Sequence, residues 1–230
     1  MLIFIQNETN RMFYIIIFIA IAVASYAVQA NLQRKFKRYS QMAVSAGLTG
    51  REVAEKMLRD HGITDVQVIS TDGQLTDHYN PTNHTVNLSE GVYESCSVAA
   101  AAVAAHECGH AVQHQCAYAP LRLRSSLVPA VQVASRWVPW LLLGGILTVT
   151  IFPQILLAGI VLFAITTLFS FITLPVEIDA SRRAVAWWNG PELRRRPNSP
   201  WLSTRFARRL IRMWWQHSAR WLRLIYYVMI

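Results

Sequence analysis

His106, Glu107, Cys108, Gly109 and His110 spell H-E-x-x-H inside an alanine-rich run. On a helix, positions i and i+4 lie one turn apart on one face, so His106 and His110 can hold one metal ion from the same side. Glu107 stands beside them, placed to take a proton from metal-bound water. Zinc suits two imidazoles and lowers the pKa of a bound water from about 15.7 to about 7, which supplies a hydroxide at neutral pH. Peptide hydrolysis is the default chemistry of this pattern.

Ser97 to Ala105 reads S-V-A-A-A-A-V-A-A, and alanine is the strongest helix former, so the histidines fall on a helix. Gly109 inside that helix costs about 1 kcal/mol relative to alanine and points to another backbone passing close to the metal face. A motif this short can also arise by chance in a chain with seven histidines, so a third ligand has to decide.

Open catalytic zinc sites take three protein ligands and keep a position for water. A histidine six residues after the motif is ruled out, because Gln113 stands where the longer pattern needs glycine and Cys116 where it needs histidine. Downstream of His110 the carboxylates are Glu177, Asp179 and Glu192, and Glu177, in L-P-V-E-I-D-A-S, is the selection for a His2Glu site holding one Zn2+ per chain. Asp179 could compete for the metal, but by analogy it is better placed to orient a ligand histidine from behind. His114, two turns after His106, is a weaker ligand candidate and reads more simply as a polar helix residue.

These residues must be positioned by a chain of 230 residues that is 53% hydrophobic and 15% charged, a composition apolar enough for a membrane protein with a compact domain beside it. Residues 12–33 carry no charge and suffice for one spanning helix at about twenty residues. Arg34, Lys35, Lys37 and Arg38 follow at once and only Arg11 precedes, which places the N-terminus outside and the next segment in the cytoplasm. A cleaved signal peptide ending near Val28-Gln29-Ala30 is the rival reading, disfavoured by the few positive charges ahead of the apolar run.

Trp137 to Val176 is uncharged as well, too long for one span of about 17–25 residues. It reads as two spans, near 137–152 and 155–174, with Pro153 at the turn. An even number of crossings then separates His110 from Glu177 and leaves both on the cytoplasmic side, close to the membrane surface. The organisation expected is a membrane helix at 12–33, a cytoplasmic segment at 34–136 bearing the metal helix, a membrane hairpin at 137–174, a third-ligand segment at 175–186 and a basic tail at 187–230.

Within 34–136, Thr49 and Glu52 form a capping box for a helix running to about His61-Gly62. Residues 65–70 and 85–88 alternate as strands, with 77–83 as the intervening turn. A short antiparallel sheet ahead of the metal helix makes an α+β arrangement, and its edge could take an extended peptide. His78 and Tyr79 are candidate donors to a tetrahedral oxyanion, or else ordinary turn residues. Arg122 and Arg124 flank the membrane rather than a nucleic acid. Three cysteines without a C-x-x-C pair predict no structural disulfide in a reducing compartment, and Cys108 reads as a small buried apolar residue.

F-K-R-Y-S, G-L-T-G-R-E-V-A, L-T-D-H-Y-N-P, A-A-H-E-C-G-H-A-V-Q-H, Y-A-P-L-R-L-R and L-P-V-E-I-D-A-S-R-R-A occur in this order. Together, over roughly residues 12–186, they resemble the YugP-like neutral zinc metallopeptidases, small bacterial membrane proteins. The resemblance implies a membrane-embedded, zincin-like α+β protein, similar in plan to the gluzincins, whose third ligand is a glutamate in an E-x-x-A-D-like run. Here that run is Glu177-Ile178-Asp179-Ala180-Ser181, with serine in place of the last aspartate. The substrate implied is a peptide or protein, the setting a bacterial cell membrane crossed several times. The alternative is a zinc-stabilised membrane scaffold or interaction protein that cleaves nothing.

After about Ala186 the resemblance fails. Residues 181–230 hold eleven Arg, no Lys and one acidic residue, Glu192, so the chain's net charge of +9 resides in this tail. A membrane-surface helix with Trp anchors, a nucleic-acid patch and a reading-frame change in the gene all fit that composition; arginine without lysine, mixed with Trp-Trp pairs, favours the frame change. Sequencing across codons 186–224 is expected to reveal a shifted frame, and a clean frame shared with close relatives would exclude it.

Overall fold

The computed structural model describes residues 2–44, 47–73 and 76–189. These fall into two compact units, one built from residues 32–123 and from 173 onward, the other from the chain up to residue 31 and from 124–172. The described chain is mostly helical with one small sheet.

In the first unit, α2 (Gly50–Asp60) begins at Thr49, whose hydroxyl accepts the Glu52 N–H while the Glu52 carboxylate accepts the Thr49 N–H, the expected capping box. Val53, Ala54, Met57 and Leu58 recur at helical spacing and are buried, which makes α2 a one-faced helix that must pack. It stops where His61 caps it and Gly62 takes a positive φ of 69°. Helix α4 (Val98–Gln115) starts from Ser97, whose side chain accepts the Ala100 N–H at 3.2 Å. Its alanines are all buried, and their small side chains let α2 pack close, with the Cys108 thiol donating to the Ala54 carbonyl at 3.6 Å. Cys108 is the small buried residue anticipated, and burial pushes its thiol well above the ordinary range.

The sheet corrects the sequence reading. It is mixed rather than antiparallel: β1 (Gln67–Thr71) pairs parallel to β3 (Thr85–Ser89), and β2 (His78–Asn80) pairs antiparallel to β3, in the order β1-β3-β2. Residues 77–83 were expected as one turn, but Asp77 is gripped by the Ser89 N–H and hydroxyl at 2.7 and 3.0 Å. That grip holds the next three residues extended along β3. The turn shrinks to residues 81–84, where the Asn80 side chain accepts the Thr82 N–H and His84 takes φ 53°. Two reversals instead of one bring β3 back parallel to β1. β3 is buried along its whole length, and a single turn, α3 (Glu90–Tyr93), links its end to α4.

Helices α5 (Ala119–Leu147) and α6 (Pro153–Trp188) are long and apolar enough to cross a bilayer. In the second unit they run antiparallel, with Gly145 against the Leu156 backbone and Gly159 against Leu142. Pro153 opens α6, a position where its missing N–H costs nothing. Leu157, Val161, Ile165, Leu168 and Phe171 form an exposed apolar stripe along α6. α5 begins well before its expected span and ends short of it, at Leu147, whereas α6 runs past its own, and Glu177 therefore lies on α6 itself rather than on a separate segment. Residues 12–33 lie within α1 (Leu2–Ser40).

The end of α6 returns to the first unit, where Ala184, Trp187 and Trp188 join the core and the Trp187 indole donates to Asp60 at 2.8 Å. From residue 190 the basic tail lies outside the described residues. Met57 is the largest fully buried side chain of that core. Met57→Ala is expected to cost about 2–5 kcal/mol, measured by denaturant unfolding of the detergent-solubilised protein.

Candidate metal centre

Two helices cross at small residues, Gly109 and Ala180. A Cβ on Gly109 of α4 would lie 2.5 Å from the Ala180 carbonyl oxygen of α6, so the close backbone that Gly109 signalled is α6. His106 and His110 bracket Gly109 on one helix, as Glu177 and Ser181 bracket Ala180 on the other, each pair at i, i+4. Close approach at the crossing therefore forces the four side chains together.

His106 Nε2 and His110 Nε2 lie 3.1 and 3.0 Å from the same oxygen, Glu177 Oε2. The imidazole rings stand 4.9 Å apart and nearly perpendicular. Among the described residues these three form the group of His, Cys, Asp or Glu side chains able to hold a metal, their ligand atoms all within 4.8 Å of one another. A tetrahedral zinc with bonds of about 2.0–2.1 Å separates neighbouring ligand atoms by about 3.3 Å, so the donor set and its spacing fit zinc.

What stands behind the ligands fits as well. The Ser181 hydroxyl lies 3.1 Å from His106 Nδ1, and Gln113 Oε1 lies 3.0 Å from His110 Nδ1. With each Nδ1–H donating to these oxygens, both Nε2 lone pairs are free to face a metal. Fully buried Gln113 then spends its amide N–H groups on the Val176 carbonyl at 2.7 Å and Asp179 at 2.9 Å, and Asp179 takes the Arg183 guanidinium at 2.6 Å. The orienting role expected of Asp179 is thus indirect, reaching His110 through Gln113, while Ser181 orients His106. Sequence reasoning passed over both: Gln113 served there only to exclude a longer motif, and Ser181 only as a departure from E-x-x-A-D. That Ser181 follows Glu177 by one turn was the signal available.

Glu177 is 2% exposed and lies beyond the 155–174 apolar run. Burial pushes its carboxyl up, but the two imidazoles that face it outweigh burial and hold it well below the ordinary carboxylate range. It stays ionised, as a metal ligand must.

Glu107 reaches the sheet. Its Oε2 accepts the backbone N–H of Tyr79 on β2 at 3.1 Å. The Tyr79 hydroxyl bonds His114 Nδ1 at 2.9 Å, and burial, then Asp65, pushes that phenol up to about 12, so it remains protonated at neutral pH. His114, the weaker ligand candidate, is therefore a partner of Tyr79 and lies outside the trio. His78, the first residue of β2, is exposed, and its ring bonds the Thr76 carbonyl at 2.7 Å.

Ser181→Ala is expected to weaken zinc binding about 10- to 100-fold, and Ser181→Asp to recover most of the loss, because a carboxylate can also accept the His106 N–H. Competition with a chromophoric chelator measures both. Gly109→Ala is expected to lower zinc affinity too, by forcing α4 from α6, with overpacking costing about 1–3 kcal/mol of stability.

Comparison with known proteins places this geometry in a lineage. No solved structure matches the chain. Residues 14–199 match the model of a family described as "Putative neutral zinc metallopeptidase", which extends past the point where the sequence resemblance was expected to fail. A relative from Bacillus subtilis (strain 168), named "Putative membrane protease YugP", is 43% identical over 173 residues, covering 75% of this chain and 76% of its own length. On the strength of the family match and that relative, the chain belongs to the neutral zinc metallopeptidase family, whose description implies zinc.

Proposed function

We propose that this protein is a membrane-integral zinc metalloendopeptidase, in which His106, His110 and Glu177 hold one zinc per chain and Glu107 is the general base. The observation that carries the reading is the convergence of two imidazoles and one buried carboxylate from crossing helices, with a second carboxylate adjacent in sequence and turned toward a sheet edge. When bound, zinc supplies a polarised carbonyl and an acidified water. Glu107 takes the proton of the attacking water and returns it to the leaving amine. β2 is an edge strand, and an extended peptide added along it would lie beside Glu107.

The membrane reading rests on the apolar lengths of α5 and α6, on the uncharged stretch at 12–33 followed by Arg34, Lys35, Lys37 and Arg38, and on a relative named as a membrane protease. The positive-inside rule sets the site on the cytoplasmic face. The partners are the bilayer and a peptide or protein substrate.

Elemental mass spectrometry of protein purified in mild detergent is expected to give about one zinc per chain, reduced in Glu177→Ala. Glu107→Gln is expected to keep the zinc and lose hydrolysis of unfolded protein. Unchanged hydrolysis in Glu107→Gln would remove Glu107 from the mechanism, and zinc-loaded wild type without turnover would return the protein to the scaffold reading.

A further inference from the structure

We propose that Glu107 also acts as a latch on the peptide-docking edge, occupying in the free protein the backbone donor that an incoming strand needs. The inference deepens the peptidase reading and rests on it. β2 has three residues, paired with β3 as His78↔Asn87, Tyr79↔Val86 and Asn80↔Thr85. In an antiparallel pair the N–H and C=O of one residue point the same way and alternate from residue to residue. The Tyr79 N–H goes to Glu107, so Tyr79 faces outward while His78 and Asn80 face β3.

The free edge of β2 therefore offers one donor and one acceptor, both from Tyr79. Glu107 Oε2 sits at 3.1 Å on that donor, the place a neighbouring strand's carbonyl would take. A peptide that pairs with β2 must displace it.

The strand cannot yield instead. Asp77 is held by Ser89 just before it, the Asn87 side chain donates to the His78 carbonyl at 3.3 Å, and the Tyr79 hydroxyl is tied to His114. Glu107, half-buried and on rotatable bonds, is the part that moves. Docking of a peptide strand and release of the base from the edge are then one event, and a ligand that fills the metal side without pairing with β2 leaves Glu107 latched.

Two inactive variants separate the latch from the chemistry. Glu107→Gln keeps an oxygen that can accept the Tyr79 N–H, whereas Glu107→Ala leaves that donor open. With zinc content verified, binding of fluorescein-labelled casein is followed by anisotropy, and hydrogen exchange is measured over residues 77–80. Glu107→Ala is expected to bind casein about five-fold more tightly than Glu107→Gln, the worth of one hydrogen bond, and to exchange faster at Tyr79 when free. Equal or weaker binding by Glu107→Ala, or equal exchange, overturns the latch. Zinc-loaded wild type that neither binds nor cleaves casein instead fails the peptidase reading beneath it.

Discussion

The site depends on how closely α4 and α6 approach. With Gly109 lying on the Ala180 carbonyl, one oxygen of Glu177 reaches two imidazoles at once. Those contacts, at 3.0 and 3.1 Å, leave no slack, since a side-chain hydrogen bond stretched to about 3.6 Å is no longer one. The same demand for closeness explains why α4 is written in alanine. Its far side receives α2, and bulkier residues there would lift the helix from one neighbour or the other.

Burying so polar a centre requires that its polar atoms be paired, because each one left unpaired costs about 1–3 kcal/mol. The deep side meets the requirement through a relay, His110 to Gln113 to Asp179 to Arg183, with the Val176 carbonyl taking the other amide hydrogen. On the rim side the Nδ1 of the partly buried His106 meets the Ser181 hydroxyl. A ring fixed by a saturated relay has less freedom than one fixed by a rotatable hydroxyl. The two candidate metal-binding histidines are thus held with different stiffness, His110 more firmly than His106.

Much of this centre was legible in the sequence because it is local. His106 and His110 share a face by helical arithmetic, Gly109 signals a close backbone because glycine is costly in a helix, and Thr49 with Glu52 signals a helix start by their spacing. Glu177 was reachable because few carboxylates follow His110. What stayed hidden depends on pairings between distant segments. Gln113 and Ser181 become informative only once α6 lies on α4, and the parallel register of β1 and β3 follows from a grip between Asp77 and Ser89 that no local pattern encodes.

Asp77 to Pro81 reads as a turn because Asp, Asn and Pro are turn formers, yet its middle is strand. The reason lies in the metal motif. Glu107 follows His106 by one residue and so points about 100° around α4 from it, away from the face shared by the ligands. A carboxylate placed there meets β2, which offers the Tyr79 N–H to it and the Tyr79 hydroxyl to His114 further along the same helix. Tertiary bonds at Asp77, His78 and Tyr79 outweigh the local preference. The segment where local propensity misleads is thus the one whose backbone and side chains bond β3 and α4.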